Sequence, residues 1–331
     1  MPDSQVVNVV RAHRLAMNAE EAATMRDMAM RWMEVERALD GNIAALANEM
    51  LRKTSSGETI TPSMVRKAER YQLLKAQAEK EIVKYNRDAA KIISEGQVTA
   101  LNEGLETAQD AIISSTEFNQ MFNHINIGAV DSMVGYAGDG TPLRQLLNDS
   151  VGEGATDNIM NALINGVAQG LGADEVARNM AGDLGKNFDR SLVIARTEIN
   201  RSYRTATIEQ YKQSGVVIKY VRLVARDEAC PSCLSLDGET FDTAEDAMNM
   251  EEHPNGRCTF VCQVVGGDAP EWEVATDWFA NQSESKQRET LGAQRYELYK
   301  NGMPLSDMVH KIHNDTWGDS PALIPLKDLN K

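Results

Sequence analysis

Apolar residues recur every three or four positions through most of the chain, which is the period of an amphipathic α-helix. The first such run covers about 18–51, with Gly41 as an expected interruption. Thr61 followed by Pro62 is typical of a second helix start, because the hydroxyl caps the first turn and proline fits the first helical position. The pattern predicts that this second long helix ends near Gly96.

The coarse organisation follows from where the helical pattern weakens. Helical periodicity returns at 97–127, and the glycine-rich stretch that follows is typical of a loop or hinge. We therefore predict an N-terminal assembly region of long helices at 1–127, a hinge at 128–155, and a C-terminal domain at 156–331. The expected fold class is mainly α, with an α+β C-terminal domain that contains a small two-stranded Cys/His subdomain.

A predicted helix at about 186–213 is amphipathic in an unusual way, since its polar side is strongly basic. One stripe is apolar and consists of Leu192, Ala195, Ile199, Tyr203 and Ala206. The opposite face presents the candidate binding residues Lys186, Arg190, Arg201, Arg204 and Lys212. Three interpretations stay open: a solvated helix face, a contact for an acidic partner surface, and a contact for DNA phosphates.

Two β-rich segments flank the cysteines. Gly215 is expected to end the basic helix in a left-handed conformation. The segments at 216–224 and 259–265 are rich in β-branched residues, so they predict two strands that pair with each other. Further along, a final helical segment is expected, with His310 and His313 one helical turn apart as surface residues.

All four cysteines fall in one short stretch, at 227–265. Cys230 and Cys233 are two residues apart with a proline between them, and His253 precedes Cys258 by five positions. Two such pairs can converge as a tetrahedral Cys3His zinc site, with Cys262 as an alternate fourth ligand. Four protein ligands would make the zinc structural, because a hydrolytic zinc needs an open position for water. A reduced cluster without metal and disulfide pairing remain open alternatives.

Composition narrows the class of protein. The chain has 331 residues, 42% of them hydrophobic, and a net charge of -15, which argues against a surface that coats nucleic acid. The charge is uneven, because 178–222 carries nine Lys or Arg and four Asp or Glu. No apolar run of transmembrane length and no signal-peptide pattern is present in the sequence, so a cytosol-like compartment is expected.

Enzymatic motifs are missing from the sequence. There is no P-loop, no G-x-G-x-x-G after a strand and no G-x-S-x-G. His253 is followed by Pro254 and Asn255, whereas a zinc deaminase requires H-x-E. We therefore expect a protein that is not an enzyme.

Four motifs in a fixed order carry a family resemblance. They are I-A-R-T-E at 194–198, Asp227 just before C-P-S-C, L-D-G-E-T-F at 236–241 and H-P-N-G-R-C at 253–258. Together with G-L-G-A-D-E-V-A at 170–177 upstream and L-G-A-Q-R and Y-K-N-G downstream, they resemble the minor head proteins of tailed bacteriophages, the Mu protein F type. Members often read H-P-x-C-R-C, whereas this chain has Gly256 in place of the first of those cysteines.

The resemblance implies a head morphogenesis protein of the virion. Such a protein would be made in the host bacterial cytoplasm and retained inside the head near the portal vertex. It would bind the portal protein, with scaffold or major capsid protein and the genomic DNA as further partners, and it would contact no membrane during assembly. The motif also implies that Arg196 and Glu198 form an ion pair. The alternative function is a nucleic-acid-binding module that uses the basic face of the helix at 186–213.

Overall fold

The computed structural model describes residues 3–115, 132–169, 171, 173–226, 229–314 and 317–329. Three sequence-based expectations fall partly or wholly outside them: the end of the helix predicted at 97–127, the start of the hinge, and Asp227. Parts of the predicted 170–177 motif also lie outside the described residues.

Helices form most of the described chain. They are α1 (Gln5–Ser55), α2 (Pro62–Lys67), α3 (Glu69–Ser115), α4 (Leu143–Leu147), a π-helical turn (Asn148–Gly152), α5 (Glu153–Ala168) and α6 (Ala173–Ser214). Shorter elements follow, namely α7 (Pro231–Leu234), α8 (Ala244–Met248), α9 (Ala275–Ala280), α10 (Glu284–Leu291), α11 (Ala293–Lys300), a 3-10 turn (Leu305–Met308) and α12 (Leu326–Leu329). Within the described residues, no helix combines the length and apolar character that crossing a bilayer requires.

The long helices are longer than the sequence pattern predicts. α1 begins at Gln5 and passes through Gly41, and α3 passes through Gly96. A glycine inside a helix costs only about 1 kcal/mol, which the packing of a long helix outweighs. The predicted helix start is confirmed, because the Thr61 hydroxyl accepts a hydrogen bond from the Met64 amide at 3.3 Å.

The strands form two small antiparallel sheets in the C-terminal part. β1 (Val217–Leu223) lies between β2 (Thr240–Phe241) and β3 (Thr259–Val264), so the predicted pairing of the two strands flanking the cysteines is confirmed and extended by a short third strand. β4 (Val309–Asn314) pairs with β5 (Gly318–Leu323). Long helices followed by an α+β region confirm the predicted fold class.

The C-terminal hairpin corrects one expectation. His310 and His313 lie in β4 and not one helical turn apart. Residues three apart in a strand face opposite sides of it, so the two imidazoles do not share a face. The sequence pattern predicts a helix at these residues, but they form a strand. Gly318, at φ 73°, begins β5, which pairs with β4.

The described chain divides into two compact units. The first comprises 1–21, 96–134 and 196–331, and the second comprises 22–95 and 135–195. The unit boundaries therefore fall inside α1, α3 and α6. The predicted functional regions 1–127, 128–155 and 156–331 stay a prediction.

An aromatic cluster marks the core of the second unit. The ring of Trp32 stacks on Phe188 at 5.6 Å and meets Tyr85 edge-on at 4.7 Å. The Tyr85 hydroxyl is 2.6 Å from Ser191 Oγ, which satisfies this buried polar group. Aromatic packing of this kind anchors the three long helices within the unit.

The first unit packs the ends of the long helices on the three-stranded sheet. Its main core cluster includes Val6, Val7 and Val10 of α1 and Ala108 and Ile112 of α3. Residues of β1 and β3 complete that cluster. The start of α1 is thus part of the same core as the sheet that contains Cys262.

A second apolar cluster lies beneath the C-terminal elements of the first unit. It brings Cys233 and Cys258 together with Phe279 of α9, Tyr296 of α11 and Met308. The cysteines predicted as metal ligands therefore sit at the edge of a hydrophobic core, which limits the access of water to them.

Candidate metal centre

The C-P-S-C turn presents two sulfurs from the start of a short helix. Cys230 is the N-cap of α7 in an extended conformation, and Pro231 occupies the first helical position. The Cys230 sulfur accepts a hydrogen bond from the Cys233 amide at 3.4 Å. A sulfur held by backbone N–H groups at a helix start is stabilised as the thiolate, which is the form that binds metal.

His253 reaches these sulfurs from the H-P-N-G loop. Its Nε2 lies 3.1 Å from Cys230 Sγ and 2.9 Å from Cys233 Sγ. Its Nδ1 lies 2.7 Å from the carbonyl oxygen of Pro254, which can only accept, so Nδ1 carries the proton. Nε2 therefore faces the sulfurs and can bind a metal once it has lost its proton, as in a metal-ligating histidine whose other nitrogen donates to a carbonyl.

The loop itself is fixed by backbone geometry. Asn255 has φ 66°, and the Gly256 amide donates to the His253 carbonyl at 3.0 Å. A Cβ at Gly256 would lie 2.1 Å from the carboxylate of Glu252. The glycine that replaces the family's frequent cysteine therefore leaves room for the Glu252 side chain, and Gly256 offers no ligand.

Cys258 completes the group through Cys233. The donor atoms of Cys230, Cys233 and His253 lie within 4.8 Å of one another, and so do those of Cys233, Glu252 and Cys258. Both sets share Cys233, so the four predicted ligands form one group that can hold a metal ion. Glu252 is an additional carboxylate beside it that sequence reasoning missed, although its position directly before a ligating histidine was a usable signal.

Cys262 belongs to a different environment. It lies inside β3 opposite Tyr220 and is buried in the main core cluster of the first unit. Burial raises the pKa of its thiol to about 12. Of the two candidate fourth ligands, the structure therefore brings Cys258 to the cluster and not Cys262.

A buried arginine faces the thiols from β1. Arg222 is 1% exposed, and its Nη2 lies 3.6 Å from Cys258 Sγ and 3.4 Å from Glu252. Burial lowers the pKa of Arg222, but the nearby charges of Cys258 and Glu252 outweigh burial and raise it. Its positive charge thus offsets the negative charge that collects around the thiolates.

The pKa values of Cys230 and His253 show the same balance between burial and nearby charge. A hydrogen bond from Cys233, the largest effect, together with one from His253 lowers the pKa of Cys230 to about 4, although burial opposes it. Burial lowers the pKa of His253, but its contact with Cys230 and the charge of Glu252 raise it to about 9. Without a metal the pair is a thiolate and an imidazolium, and a cation that binds the thiolates would displace that proton.

The donor set fits a zinc ion in chemical type. Three sulfurs and one imidazole nitrogen are the ligands of structural zinc sites. The N···S separations of 2.9 and 3.1 Å are shorter than the roughly 3.5 Å expected between ligands of tetrahedral zinc, so the side chains would open slightly around the ion. Cys230, Cys233, His253 and Cys258 would together fill the four coordination positions of such an ion.

The I-A-R-T-E segment of α6 supports the His253 loop. Thr197 Oγ1 accepts a hydrogen bond from the Asn255 amide at 3.1 Å. Arg204, two turns later, donates to the Gly256 carbonyl at 3.1 Å. The helix motif and the H-P-N-G loop are therefore one structural unit.

The two charged residues of that motif do not pair with each other, which corrects the expected ion pair. Arg196 lies 3.3 Å from Glu21 of α1, and the carboxylate of Glu198 accepts from Arg201 at 2.7 Å. Side chains two positions apart point to different sides of a helix, so they cannot meet. Glu21 was not visible as a partner because it lies far away in the sequence.

Asp237 explains the L-D-G-E-T-F motif. One of its oxygens accepts from the Val224 amide at 2.8 Å, and the other accepts from Trp272 Nε1 and the Ala275 amide, both at 2.8 Å. A single carboxylate thus connects the end of β1 to the start of α9. The motif is structural, and it positions the chain on either side of the C-P-S-C turn.

The basic face of α6 is less continuous than predicted. Lys186, Arg190 and Lys212 are exposed, Arg201 is ion-paired and half-buried, and Arg204 is 8% exposed. The apolar stripe is confirmed at Ala195, Ile199, Tyr203 and Ala206, which are fully buried. Placing Arg204 on an exposed cationic face was wrong, because its guanidinium supports the Gly256 carbonyl from inside.

The fold and site together define a helical protein with a C-terminal Cys/His knot held between a helix and a small sheet. Residues 157–261 match the family model described as Phage Mu protein F like protein, which confirms the resemblance inferred from the motifs. The matched segment is about a third of the chain and contains all four candidate ligands. At the level of the family it supports a phage head morphogenesis protein. No curated protein and no solved structure matches the chain.

Proposed function

We propose that this protein is a minor component of a phage head that binds the portal inside the capsid and aids assembly, packaging or DNA delivery. The observation that carries the proposal is the convergence of three family motifs on one Cys/His cluster, within the segment that matches the family model. The protein would be retained in the virion near the portal vertex after assembly in the host cytoplasm. Scaffold or major capsid protein and the genomic DNA are further proposed partners.

We assign the Cys/His cluster to a structural Zn2+ ion held by Cys230, Cys233, His253 and Cys258. The ion would supply a crosslink between the C-P-S-C turn and the His253 loop. Three-stranded sheets as small as this one bury little surface, so the crosslink would add stability that the strands alone lack. With four protein ligands the site has no position for a reactive water, and we propose that the protein is not an enzyme.

The second unit is the proposed partner-binding part. Its long helices carry large apolar side chains that are open to solvent, namely Met30 (58% exposed), Met33 (46%), Leu73 (63%) and Val83 (49%). Apolar side chains on the outside of a helix are suited to contact another protein. Portal contact through α1 and α3 would use these positions.

Deleting residues 1–127 would not test this role cleanly. Val6, Val7 and Val10 of α1 belong to the core that includes the sheet, and so do residues of α3 such as Ile112. Their removal would expose that core and unfold the C-terminal part. Surface substitutions in the full chain are the better experiment.

The test is native mass spectrometry of the full chain co-expressed with the portal protein of the same phage. A defined complex is expected for the wild type, and Met30→Glu with Leu73→Glu should reduce its population at least about tenfold by placing charge in an apolar contact. Val265→Glu is the matched control, because Val265 is 65% exposed but lies after β3. A complex that is absent in the wild type, or equally populated in both variants, would contradict the portal role.

A further inference from the structure

A cavity of about 270 Å³ in the first unit is lined by three arginines, separately from the metal centre's ligands. Arg11 and Arg14 come from α1, and Arg226 follows the end of β1. The remaining wall is largely apolar and includes Leu15, Val224 and Trp278. None of the described residues that line the cavity is an Asp or Glu. Leu15 is 69% exposed, so the cavity reaches the surface.

Arg14 is the residue that indicates a ligand. It is 5% exposed, and its Nη2 donates to Asn18 at 2.7 Å, but Nε and Nη1 have no hydrogen-bond partner among the described residues. Its guanidinium carbon also lies 5.6 Å from the centre of the Tyr203 ring, and Nη2 lies 3.6 Å from Glu21. Buried guanidinium donors are normally satisfied, so two unsatisfied nitrogens on one buried arginine indicate that an acceptor is missing.

The carboxylates near the cavity are shared among several arginines. Arg11 pairs with Asp3 at 2.9 Å, and Arg226 contacts Asp3 at 3.8 Å and Glu273 at 3.6 Å. Glu21, the carboxylate nearest Arg14 at 3.6 Å, also contacts Arg196 and Arg257. Asp3 and Glu21 are thus each shared by more than one arginine, and the three arginines of the cavity wall favour an anionic ligand.

We propose that this cavity binds a phosphate group, either free phosphate or the phosphomonoester of a nucleotide. The three arginines of the wall and the unsatisfied nitrogens of Arg14 favour an oxyanion with several acceptor oxygens over a carboxylate. The volume holds a phosphate with part of an attached group, and the indole of Trp278 offers an apolar surface to a base. Burial also lowers the pKa of Arg14 despite the opposing charge of Glu21, and a bound phosphate would counter that effect.

The experiment uses the full chain and isothermal titration calorimetry at constant ionic strength. The probes are inorganic phosphate, dAMP, deoxyadenosine and acetate. Saturable binding of phosphate or dAMP, with binding of acetate and deoxyadenosine at least about tenfold weaker, is the expected result. Equal affinity for phosphate and dAMP would assign free phosphate as the ligand, and tighter binding of dAMP would assign the nucleotide.

The site is tested without disturbing the core by Leu15→Glu and Leu15→Gln. Both replace an exposed side chain of the cavity wall with one of similar size, and only the first adds negative charge. Phosphate affinity should fall about fivefold in Leu15→Glu relative to Leu15→Gln. No saturable binding of either phosphate probe to the wild type, or equal affinity in the two variants, would overturn the proposal. Loss of portal binding has no bearing on this result, because no portal protein is present.

Discussion

Arg257 donates hydrogen bonds from two of its nitrogens to the carboxylate of Glu21, a residue 236 positions earlier in the chain. The shortest of these is 2.6 Å from Nη2 to Oε1. Arg196 of the I-A-R-T-E motif approaches the same carboxylate at 3.3 Å, and Asn200 donates to it at 3.0 Å. The arginines of two family motifs therefore meet on one buried residue of α1.

We expect Glu21→Gln to be strongly destabilising. Glu21 is 2% exposed, and its loss would leave the buried Arg14 and the half-buried Arg196 and Arg257 without this counter-charge. Breaking a buried ion pair from one side costs about 3–5 kcal/mol. The free energy of unfolding by urea measures this, with the exposed neighbour Glu20→Gln as the control, expected to change it by less than about 0.5 kcal/mol. Equal effects of the two variants would show that the cluster contributes little.

The fourth metal ligand is tested by a pair of alanine variants. Cys258→Ala should lower zinc affinity by at least about 100-fold, because it removes a thiolate ligand. Cys262→Ala should keep one zinc per chain and lose only about 1 kcal/mol of stability from the small cavity in the core. Elemental analysis of dialysed protein and competition with a chelator give the two readouts. Zinc retained in Cys258→Ala but lost in Cys262→Ala would reverse the assignment.

Arg222 is expected to act on the site from outside the ligand set. Replacement by Met keeps its length but leaves the carboxylate of Glu252 and the sulfur of Cys258 without the nearby cation. Zinc affinity should fall about 10–100-fold, as for other residues that support metal ligands. Lys219→Met on the same strand is the control, because Lys219 pairs with Asp242 away from the thiols. Unchanged zinc affinity in Arg222→Met would show that Arg222 does not support the metal ligands.

How far the sequence predicts the site depends on the kind of contact. The spacing of Cys230 and Cys233 predicts that one turn presents both sulfurs, and His253 with Cys258 is the second ligand pair of a zinc-site pattern. The choice between Cys258 and Cys262 is not visible in the spacing. Cys258 and Cys262 are four positions apart, which is about 13 Å along an extended strand, so only one of the two cysteines can reach the ion. The position of β3 in the sheet decides which one does. Glu21 could not be predicted at all, since nothing local marks a partner that lies so distant in the chain.

His13 predicts a pH dependence. Its ring nitrogens lie 2.7 Å from Glu103 and 3.0 Å from Asp110 of α3. Burial lowers the pKa of His13, but the two carboxylates outweigh burial and raise it above 6.5. A raised pKa in the folded state means that the stabilisation is complete below pH 6.5 and is lost as the pH rises through the folded-state pKa.

The difference in unfolding free energy between wild type and His13→Gln measures this contribution at each pH. We expect the wild-type advantage to be constant below the unfolded-state pKa and to shrink as the pH rises above 6.5. Glu103→Gln is the control, because it keeps the imidazole and removes one of its two partners, so the decline should begin at a lower pH. A difference that does not vary with pH would mean that His13 is neutral in the folded protein.

Gly104 tests how closely α3 and α6 approach within the first unit. A Cβ at this position would lie 2.4 Å from the carbonyl oxygen of Tyr203 and 2.9 Å from the Cβ of Ala206. Backbone atoms cannot rotate away, so Gly104→Ala must separate the two helices and should cost about 1–3 kcal/mol, although alanine is the better helix former. Gly41→Ala in α1 is the matched control, because a Cβ there would have no neighbour within 4 Å, and it should stabilise the protein by about 0.5–1 kcal/mol. Opposite signs in urea unfolding are therefore expected from the same chemical change, and two stabilising results would mean that the helices are not in contact at Gly104.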